Sequence, residues 1–321
     1  MKFLADDIFN DRKTSYYLLI DDLDTGWVHE SLRFKLIRAL IETIRKFRRI
    51  RNVKIVISLR ADLLDTVMRN TKSSGFQTEK FDDLMLRLRW SKADLKHLVE
   101  SRLNVIFKDQ YTKKTVRFDD IFTSNIGDVS PLDYMLSRSL YRPRDIISFV
   151  NQCFEEAEPG SSSISARIVR QAEAEYSNRR FTAISDEWRE AYGDLEIALE
   201  SLRELPVRFK LTDLSDAFFE NMCVQLVAGD GSTSGRFVAI CNGVSRNDDP
   251  SYAHLRRTFI EIMYVVGAIG VKRGAGSKFE WSYKDQPVLN YSVVDGETTF
   301  AIHPMLHRKL NLRSDGQSLN T

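Results

Sequence analysis

An unbroken apolar run that ends in acidic residues most constrains the fold of this chain. In YYLLIDDLDTGW (16–27), the apolar residues Tyr16 to Ile20 run directly into Asp21 and Asp22. Strands that are buried on both faces of a parallel sheet read as continuous apolar runs. Proteins with such sheets bind ligands beyond the carboxyl ends of the strands. The pattern therefore predicts a buried parallel strand over 15–22 whose end carries a ligand site.

A second strand and further helices extend this start into an alternating α/β pattern. The predicted elements after the first strand are a helix (29–49), a strand (53–60), a short helix (61–70), a third strand (84–90) and a helix (92–107). One apolar stripe at helical spacing runs along the first helix; its members are Leu32, Leu36, Leu40 and Ile44, with Ile37 and Ile41. Ser91 is placed to cap the last helix. Strands that alternate with helices in this way predict parallel pairing through right-handed crossovers.

Beyond residue 110 the signals are mainly helical. The predicted helical stretches are 115–178, with a loop at EPGSSS (158–163), followed by 187–204, 212–226 and 252–266. The order helix, glycine turn, strand, Gly/Lys-rich loop and strand over 255–302 is typical of a winged helix. KRGAGSK (272–278) would be its wing.

Composition excludes several classes of protein. The net charge is +2, so no overall basic field demands nucleic acid as a partner. Three cysteines without a CxxC pair predict neither a disulfide framework nor a zinc site. No apolar stretch approaches the roughly 20 residues of a membrane span, and the first residues are too acidic for a signal peptide. We expect a cytoplasmic protein with no membrane partner.

Carboxylates at the end of a buried parallel strand are typical of a magnesium–nucleotide site. A hydrated Mg²⁺ binds one or two carboxylates and keeps water and phosphate oxygens as its other ligands. We expect Asp21 to hold Mg²⁺ through water and Asp22 to orient the attacking water. At the end of the next strand, Ser58 and Arg60 can contact a γ-phosphate. The alternatives are acids that cap the following turn and a surface arginine paired with a nearby aspartate.

Two arginines precede a predicted helix in YRPRDIISFVNQ (141–152). From a helical lid, Arg144 or Arg142 can reach the phosphates of a bound nucleotide. The alternative is a helix start led by proline, with Asp145 in the first turn, where an acid favours the helix dipole. The residues leave both interpretations open.

Five stretches together carry a family resemblance. They are LLIDDLDTGW, VISLRADLL, LRLRWSKADLKHLVESRL, YRPRDIISFVNQ and YVVGAIG…FAIHPMLHRKL. In this order, over about residues 15–312, they resemble the FunZ-like bacterial P-loop ATPases, which are relatives of the STAND and KAP ATPases. The resemblance implies the second half of a P-loop NTPase domain (1–110), a helical lid (111–183) and a winged-helix-like domain (184–321).

The resemblance also implies roles for the residues above. It makes Asp22, Arg60 and Arg144 catalytic. It places Arg142 and Ser58 at the ATP and Asp21 at Mg²⁺. The family suggests a regulatory ATPase in signalling or in defence against phage and other mobile elements.

One required part of such an ATPase is missing from the pattern. No phosphate-cradling loop G-x-x-x-x-G-K-[ST] stands before the acid-ended strand, and only about 15 residues precede that strand. We therefore expect the C-terminal portion of a longer ATPase, a chain that pairs with a separate subunit, or a protein that has lost hydrolysis. An incomplete sheet would expose an apolar edge and face, which favours association, including a homo-oligomer.

The main competing interpretation is a non-catalytic module whose winged helix binds DNA or protein. Lys272, Arg273 and Lys278 lie in the predicted wing, and HLRRTF (254–259) lies in the preceding helix, so all are candidates for contact with DNA phosphates. His303 and His307 are four residues apart, but no nearby acid or cysteine completes a metal site. A third interpretation, a degraded reading frame, predicts an aggregated product.

Overall fold

The computed structural model describes residues 9, 13–25, 27–50, 52–60, 63–64, 67–68, 83–110, 114–189, 191–228, 235–245, 252–274, 276–285 and 288–312. The chain forms two compact units, Met1–Arg87 and Leu88–Thr321. About half of the described residues are helical, and the strands form two small sheets.

The elements follow one another in this order along the chain. The first unit holds β1 (Tyr16–Ile20), α1 (Glu30–Phe47) and β2 (Val53–Ile57). The second unit holds α2 (Lys92–Gln110), α3 (Phe118–Ile121), α4 (Pro131–Ser137), α5 (Pro143–Glu155), α6 (Ala166–Trp188), α7 (Leu195–Ser201), β3 (Arg208–Lys210), α8 (Asp216–Ala228), α9 (Arg236–Ser245), α10 (Ala253–Val265), β4 (Ile269–Lys272) and β5 (Thr299–Ile302).

In the first unit, β1 and β2 pair in parallel and α1 is the crossover between them. The predicted helix and both predicted strands are thus confirmed. The predicted apolar stripe of α1 is confirmed in part. Ile37 is buried and Ile41 packs against the same cluster, whereas Leu32 and Leu36 are 47% and 41% exposed. Phe34, which lies outside the predicted stripe, is also buried. The buried face of the helix is therefore rotated from the leucines toward Phe34 and Ile37.

The β1–β2 sheet exposes apolar side chains. Tyr17, Leu19 and Val56 are 66%, 73% and 51% exposed. Side chains alternate between the two faces of a strand, so Tyr17 and Leu19 share one face of β1. Parallel sheets in α/β proteins normally bury both faces. The first unit therefore exposes the apolar surface that an incomplete sheet predicts.

The predicted third strand at 84–90 is wrong. These residues belong to no strand, and Leu86 and Leu88 are 85% and 84% exposed. Their alternation of apolar and basic residues suits a strand, but a strand forms only with a hydrogen-bonding partner, and the described residues provide none. The next prediction is confirmed, since the Asp94 amide donates to the Ser91 hydroxyl at 3.1 Å at the start of α2.

In the second unit, the long helix α6 runs through two hydrophobic cores. Ile168, Ala172 and Tyr176, in its first half, are buried with residues of α2 to α5. Phe181 and Trp188, in its second half, are buried with residues of α7 to α10 and of the second sheet. A continuous helix shared by two cores ties the helical region to the residues that follow it.

The second sheet has three short antiparallel strands in the order β3-β5-β4. β4 and β5 confirm the strands predicted around the glycine turn and in the tail. Strand β3 and helix α9 were not predicted from the sequence. Phe209 of β3 faces Phe300 of β5, and both are buried.

A disulfide joins Cys223 of α8 to Cys241 of α9, with the Cα atoms 5.4 Å apart. The expectation of no disulfide is wrong for this pair. A separation of 18 residues gives no sign of pairing, because the contact arises from the packing of two helices. Cys153 is free and buried, and burial raises the pKa of its thiol.

Among the helices of the described residues, none is both long enough and apolar enough to span a lipid bilayer.

Candidate functional site

The two adjacent acids lie in a turn at the carboxyl end of β1. Asp22 has a backbone φ of +58°, in the left-handed region that few residues other than glycine adopt. Its amide donates to Oδ1 of Asp21 at 2.9 Å, and both side chains are exposed. Strained backbone of this kind is concentrated at functional positions. The turn therefore presents two carboxylates to solvent at one edge of the sheet.

Hydrogen bonds to backbone oxygens fix this turn. The Thr25 hydroxyl donates to the backbone oxygen of Asp22 at 2.8 Å. Arg33 of α1 donates from one terminal nitrogen to the backbone oxygens of Asp24 and Thr25, at 3.1 and 2.9 Å. None of these bonds uses the carboxylates of Asp21 and Asp22. Sequence reasoning missed Arg33, because its position on an amphipathic helix looks like that of any surface arginine.

The end of β2 lies beside the end of β1. The amide of Ser58 donates to the backbone oxygen of Ile20 at 2.9 Å, which continues the parallel ladder beyond β2. Nε of Arg60 lies 3.9 Å from Oδ2 of Asp24, and 27% of the arginine side chain is exposed. The structure thus brings all four candidate residues of the first unit to one edge of the sheet. Their roles stay predictions.

Arg142 and Arg144, in the second unit, share one carboxylate. Arg142 donates to both oxygens of Glu187 at 2.7 and 2.9 Å, and Arg144 donates to one of them at 2.6 Å. Arg144 is 60% exposed, whereas Glu187 is 17% exposed. Sequence reasoning missed Glu187, because a partner more than 40 residues away on another helix leaves no local pattern.

Asp145, the acid of the same motif, is fully buried. Its Oδ2 accepts the amide hydrogen of Leu140 at 2.9 Å. Its Oδ1 lies 3.1 Å from a terminal nitrogen of Arg180, which is 5% exposed. Asp145 therefore has a structural role at the start of α5, where it joins that helix to α6. The motif therefore holds two arginines that share one acid, and a buried aspartate.

The basic residues of the predicted wing lie at the end of β4 and after it. Lys272 ends β4 and is partly buried, and Lys278 is exposed. Arg273 donates to Glu280 at 2.9 Å. Within the described residues, neither Lys272 nor Lys278 forms an ion pair. These two lysines are therefore available to an anionic ligand.

The two tail histidines are held by structural hydrogen bonds. Nδ1 of His303 accepts the amide hydrogen of Met305 at 3.1 Å, so Nε2 carries the proton and donates to the Tyr283 hydroxyl at 2.9 Å. Burial lowers the pKa of His303 well below its usual value. His307 contacts the backbone oxygen of Ile302 at 2.9 Å. The pair is therefore built into the fold around β5.

In the part of the chain that the structure describes, no group of three or more His, Cys, Asp or Glu side chains is placed to hold a metal ion. Magnesium does not require such a group, since one or two carboxylates suffice when water and phosphate oxygens complete its shell. Asp21 and Asp22 fit this donor set, because both carboxylates are exposed. They lie at the same edge of the sheet as Ser58 and Arg60, the residues predicted to contact phosphate.

Comparison with known proteins gives two matches. Residues 93–185, from α2 to most of α6, match the family described as the FunZ-associated C-terminal helical domain. The putative transposon gamma-delta 80.3 kDa protein of Escherichia coli (strain K12) is 23% identical over 199 residues. That match covers 61% of this chain and 28% of the relative, so the chain spans less than a third of that protein. No solved structure matches.

Proposed function

We propose that this chain supplies the acidic and sensor-side half of a magnesium–ATP site in a regulatory P-loop ATPase, which a phosphate-binding loop from another segment or subunit completes. One observation carries the proposal: the strands that precede Asp21–Asp22 and Ser58–Arg60 are adjacent and parallel, with their carboxyl ends at one edge. Parallel sheets bind ligands at that edge. Residues 93–185 match a helical domain that is described as C-terminal, which supports a further segment or subunit on its N-terminal side.

Each residue of the edge has a distinct task in this proposal. A bound Mg²⁺ would neutralise charge on the phosphates. Asp21 would hold the hydrated metal through its second oxygen, because Oδ1 already accepts the Asp22 amide hydrogen. The Asp22 carboxylate has no hydrogen-bond partner among the described residues, so it is available to accept a hydrogen bond from the attacking water. Arg60, whose Nε lies 3.9 Å from Asp24, would contact the γ-phosphate.

Arg144 is the better candidate of the two lid arginines. It is 60% exposed and makes one hydrogen bond to Glu187, whereas Arg142 makes two. Arg144 can therefore exchange the Glu187 carboxylate for another anion, while Arg142 keeps that carboxylate paired.

The exposed face of the first sheet supports a further segment. Tyr17, Leu19 and Val56 leave an apolar surface that a complete α/β sheet would bury. The curated relative, at 80.3 kDa, is more than twice the mass of this 37.1 kDa chain. We assign the covering of this face to the segment that carries the phosphate-binding loop. Because the relative is named as a transposon protein, a setting in mobile-element biology is favoured.

The C-terminal part of the second unit supports a winged-helix assignment. In a winged helix the last strand lies between the other two, and the order β3-β5-β4 has this form. The stretch from Arg273 to Thr298 then corresponds to a long wing between β4 and β5. The regulatory output of the ATPase would pass through this part.

Isothermal titration calorimetry with Mg-ATP tests the proposed site. It is applied to this chain and to the longer protein, or two-chain complex, that also carries a phosphate-binding loop. We expect binding by the complete protein, loss of binding in Asp21→Asn, and loss of hydrolysis with retained binding in Asp22→Asn. Glu42→Gln is the matched control, since this exposed acid pairs with Arg38 on α1. Binding and hydrolysis that survive both aspartate changes would overturn the proposal.

A further inference from the structure

The outer face of the three-stranded sheet carries more basic than acidic side chains. Phe209, Val271 and Phe300 are buried on the inner face. The residues that alternate with them therefore point outward. The first outward row across the strands is Lys210, Thr299 and Lys272, and the second is Arg208, Ala301 and Gly270.

Two aromatic side chains continue this face beyond β4. Glu280 pairs with Val271 in an isolated antiparallel bridge, so Phe279 and Trp281 point to the outer side. A Cβ on Gly270 would come within 2.7 Å of the Trp281 indole, so the indole packs directly on the sheet. The Arg208 guanidinium lies 5.9 Å from the centre of the Phe279 ring. Aromatic rings therefore lie beside basic side chains on this face.

The charges on this face are not balanced within the described residues. Among the outward residues of the strands, Lys210 pairs with Glu297 at 3.0 Å. Arg208 and Lys272 form no ion pair among the residues that the structure describes, and neither does Lys278 in the loop after β4. The excess of positive charge suits a polyanion.

The helix before β4 does not provide such a surface. Arg256 of α10 donates to Asp216 at 2.8 Å, and Arg257 donates to Glu261 at 3.0 Å. Most of the helix is buried, including Leu255 and Phe259. Its arginines therefore serve the fold, and the predicted contact of HLRRTF with DNA is less favoured than contact by the sheet.

We infer that the outer face of this sheet binds single-stranded nucleic acid. Arg208, Lys272 and Lys278 contact the phosphates, and the ring of Phe279 stacks on a base. Proteins that bind single strands combine a basic surface with aromatic side chains in this way. A duplex is read by a helix or ribbon that enters its groove, whereas most of α10, the helix before β4, is buried. The inference does not depend on the nucleotide site.

Fluorescence anisotropy with a labelled 20-nucleotide single strand and the full chain tests this inference. Three phosphate contacts predict that log K falls with log[salt] with a slope of about −2, or about a 20-fold loss between 50 and 200 mM salt. In the double variant Arg208→Gln/Lys272→Gln the slope should shrink to about −0.7. Phe279→Ala should weaken binding by about ten-fold without changing the slope.

Two matched controls separate this face from other basic parts of the chain. Arg257→Gln removes an exposed arginine of α10, and Arg48→Gln/Arg49→Gln removes two exposed arginines that follow α1. We expect both controls to bind like the original protein. No binding at 50 mM salt, or a loss only in a control variant, would overturn the inference. Equal affinity and equal slope for a duplex of the same length would overturn the preference for single strands.

Discussion

Replacing Asp145 by asparagine removes a buried charge while keeping nearly the same side-chain shape. In the native protein Oδ1 of Asp145 lies 3.1 Å from Arg180, and Oδ2 accepts the Leu140 amide hydrogen. Asparagine can still accept that hydrogen, so the main loss is the ion pair. Arg180 is only 5% exposed, and its Nε and second terminal nitrogen have no hydrogen-bond partner within the described residues. The variant therefore leaves a buried and uncompensated guanidinium.

The expected cost of Asp145→Asn follows from this geometry. Removing one partner of a buried ion pair typically lowers the free energy of unfolding by about 3–5 kcal/mol. Removing both charges is far less costly, so Asp145→Asn/Arg180→Met should recover about 1–3 kcal/mol of that loss. Asp186→Asn is the control, because Asp186 and Arg189 form an exposed pair worth at most about 1 kcal/mol.

Urea unfolding, followed by tryptophan fluorescence, measures all three variants. The midpoint should fall most in Asp145→Asn, less in the double variant and least in Asp186→Asn. A loss of less than about 1 kcal/mol in Asp145→Asn would refute the assignment of a buried ion pair. A double variant no more stable than the single variant would show that the two charges are not coupled.

Three further predictions concern separate parts of the chain. Asp22→Gly should stabilise the first unit by up to about 1 kcal/mol, since glycine adopts a φ of +58° without strain. Asp22→Val should destabilise the same unit. Thermal unfolding followed by Trp27 fluorescence measures both variants, and equal shifts of their midpoints would contradict the prediction. Burial lowers the pKa of His303 well below 6.5, so the folded state binds fewer protons than the unfolded state. Stability should therefore fall as the pH drops below about 6.5, by up to about 1.4 kcal/mol per pH unit, and urea midpoints should lose this dependence in His303→Gln. Reduction of the disulfide, whose cysteines are 18 residues apart, should lower the free energy of unfolding by about 3 kcal/mol. Alkylation of the unfolded, unreduced protein should label Cys153 alone, and labelling of all three cysteines would contradict the bond.

The parallel strand pair could be predicted because its signal is local. Strands are favoured by the apolar run from Tyr16 to Ile20 and by the β-branched run from Val53 to Ile57. The helix between them is long enough to be a crossover, so parallel pairing follows. The segment 84–90 has an equally good strand pattern and forms no strand. An alternating apolar pattern shows that a segment can form a strand, but the strand forms only when a neighbouring strand offers an unpaired edge.

In the candidate site, the position of the acids could be predicted from the local sequence, but the partners of the other residues could not. Asp21 and Asp22 follow the strand directly, so the end of β1 fixes where they lie. The partners of the other candidates could not be predicted: Glu187, which holds Arg144, is on a different helix. β3, which carries Arg208, has only three residues, too few for a periodic signal, and its place in the sheet depends on pairing with a distant strand.

The exposed face of the first sheet ties the proposed site to the stability of that unit. Full burial of a large apolar side chain contributes about 1.5–3 kcal/mol. Tyr17, Leu19 and Val56 are half to three quarters exposed, so a segment that covers them would add about 3–5 kcal/mol. That is a large fraction of a whole domain's stability, and a sheet of two strands is marginal by itself. A segment that brings the phosphate-binding loop would therefore stabilise the sheet and complete the nucleotide site in one step.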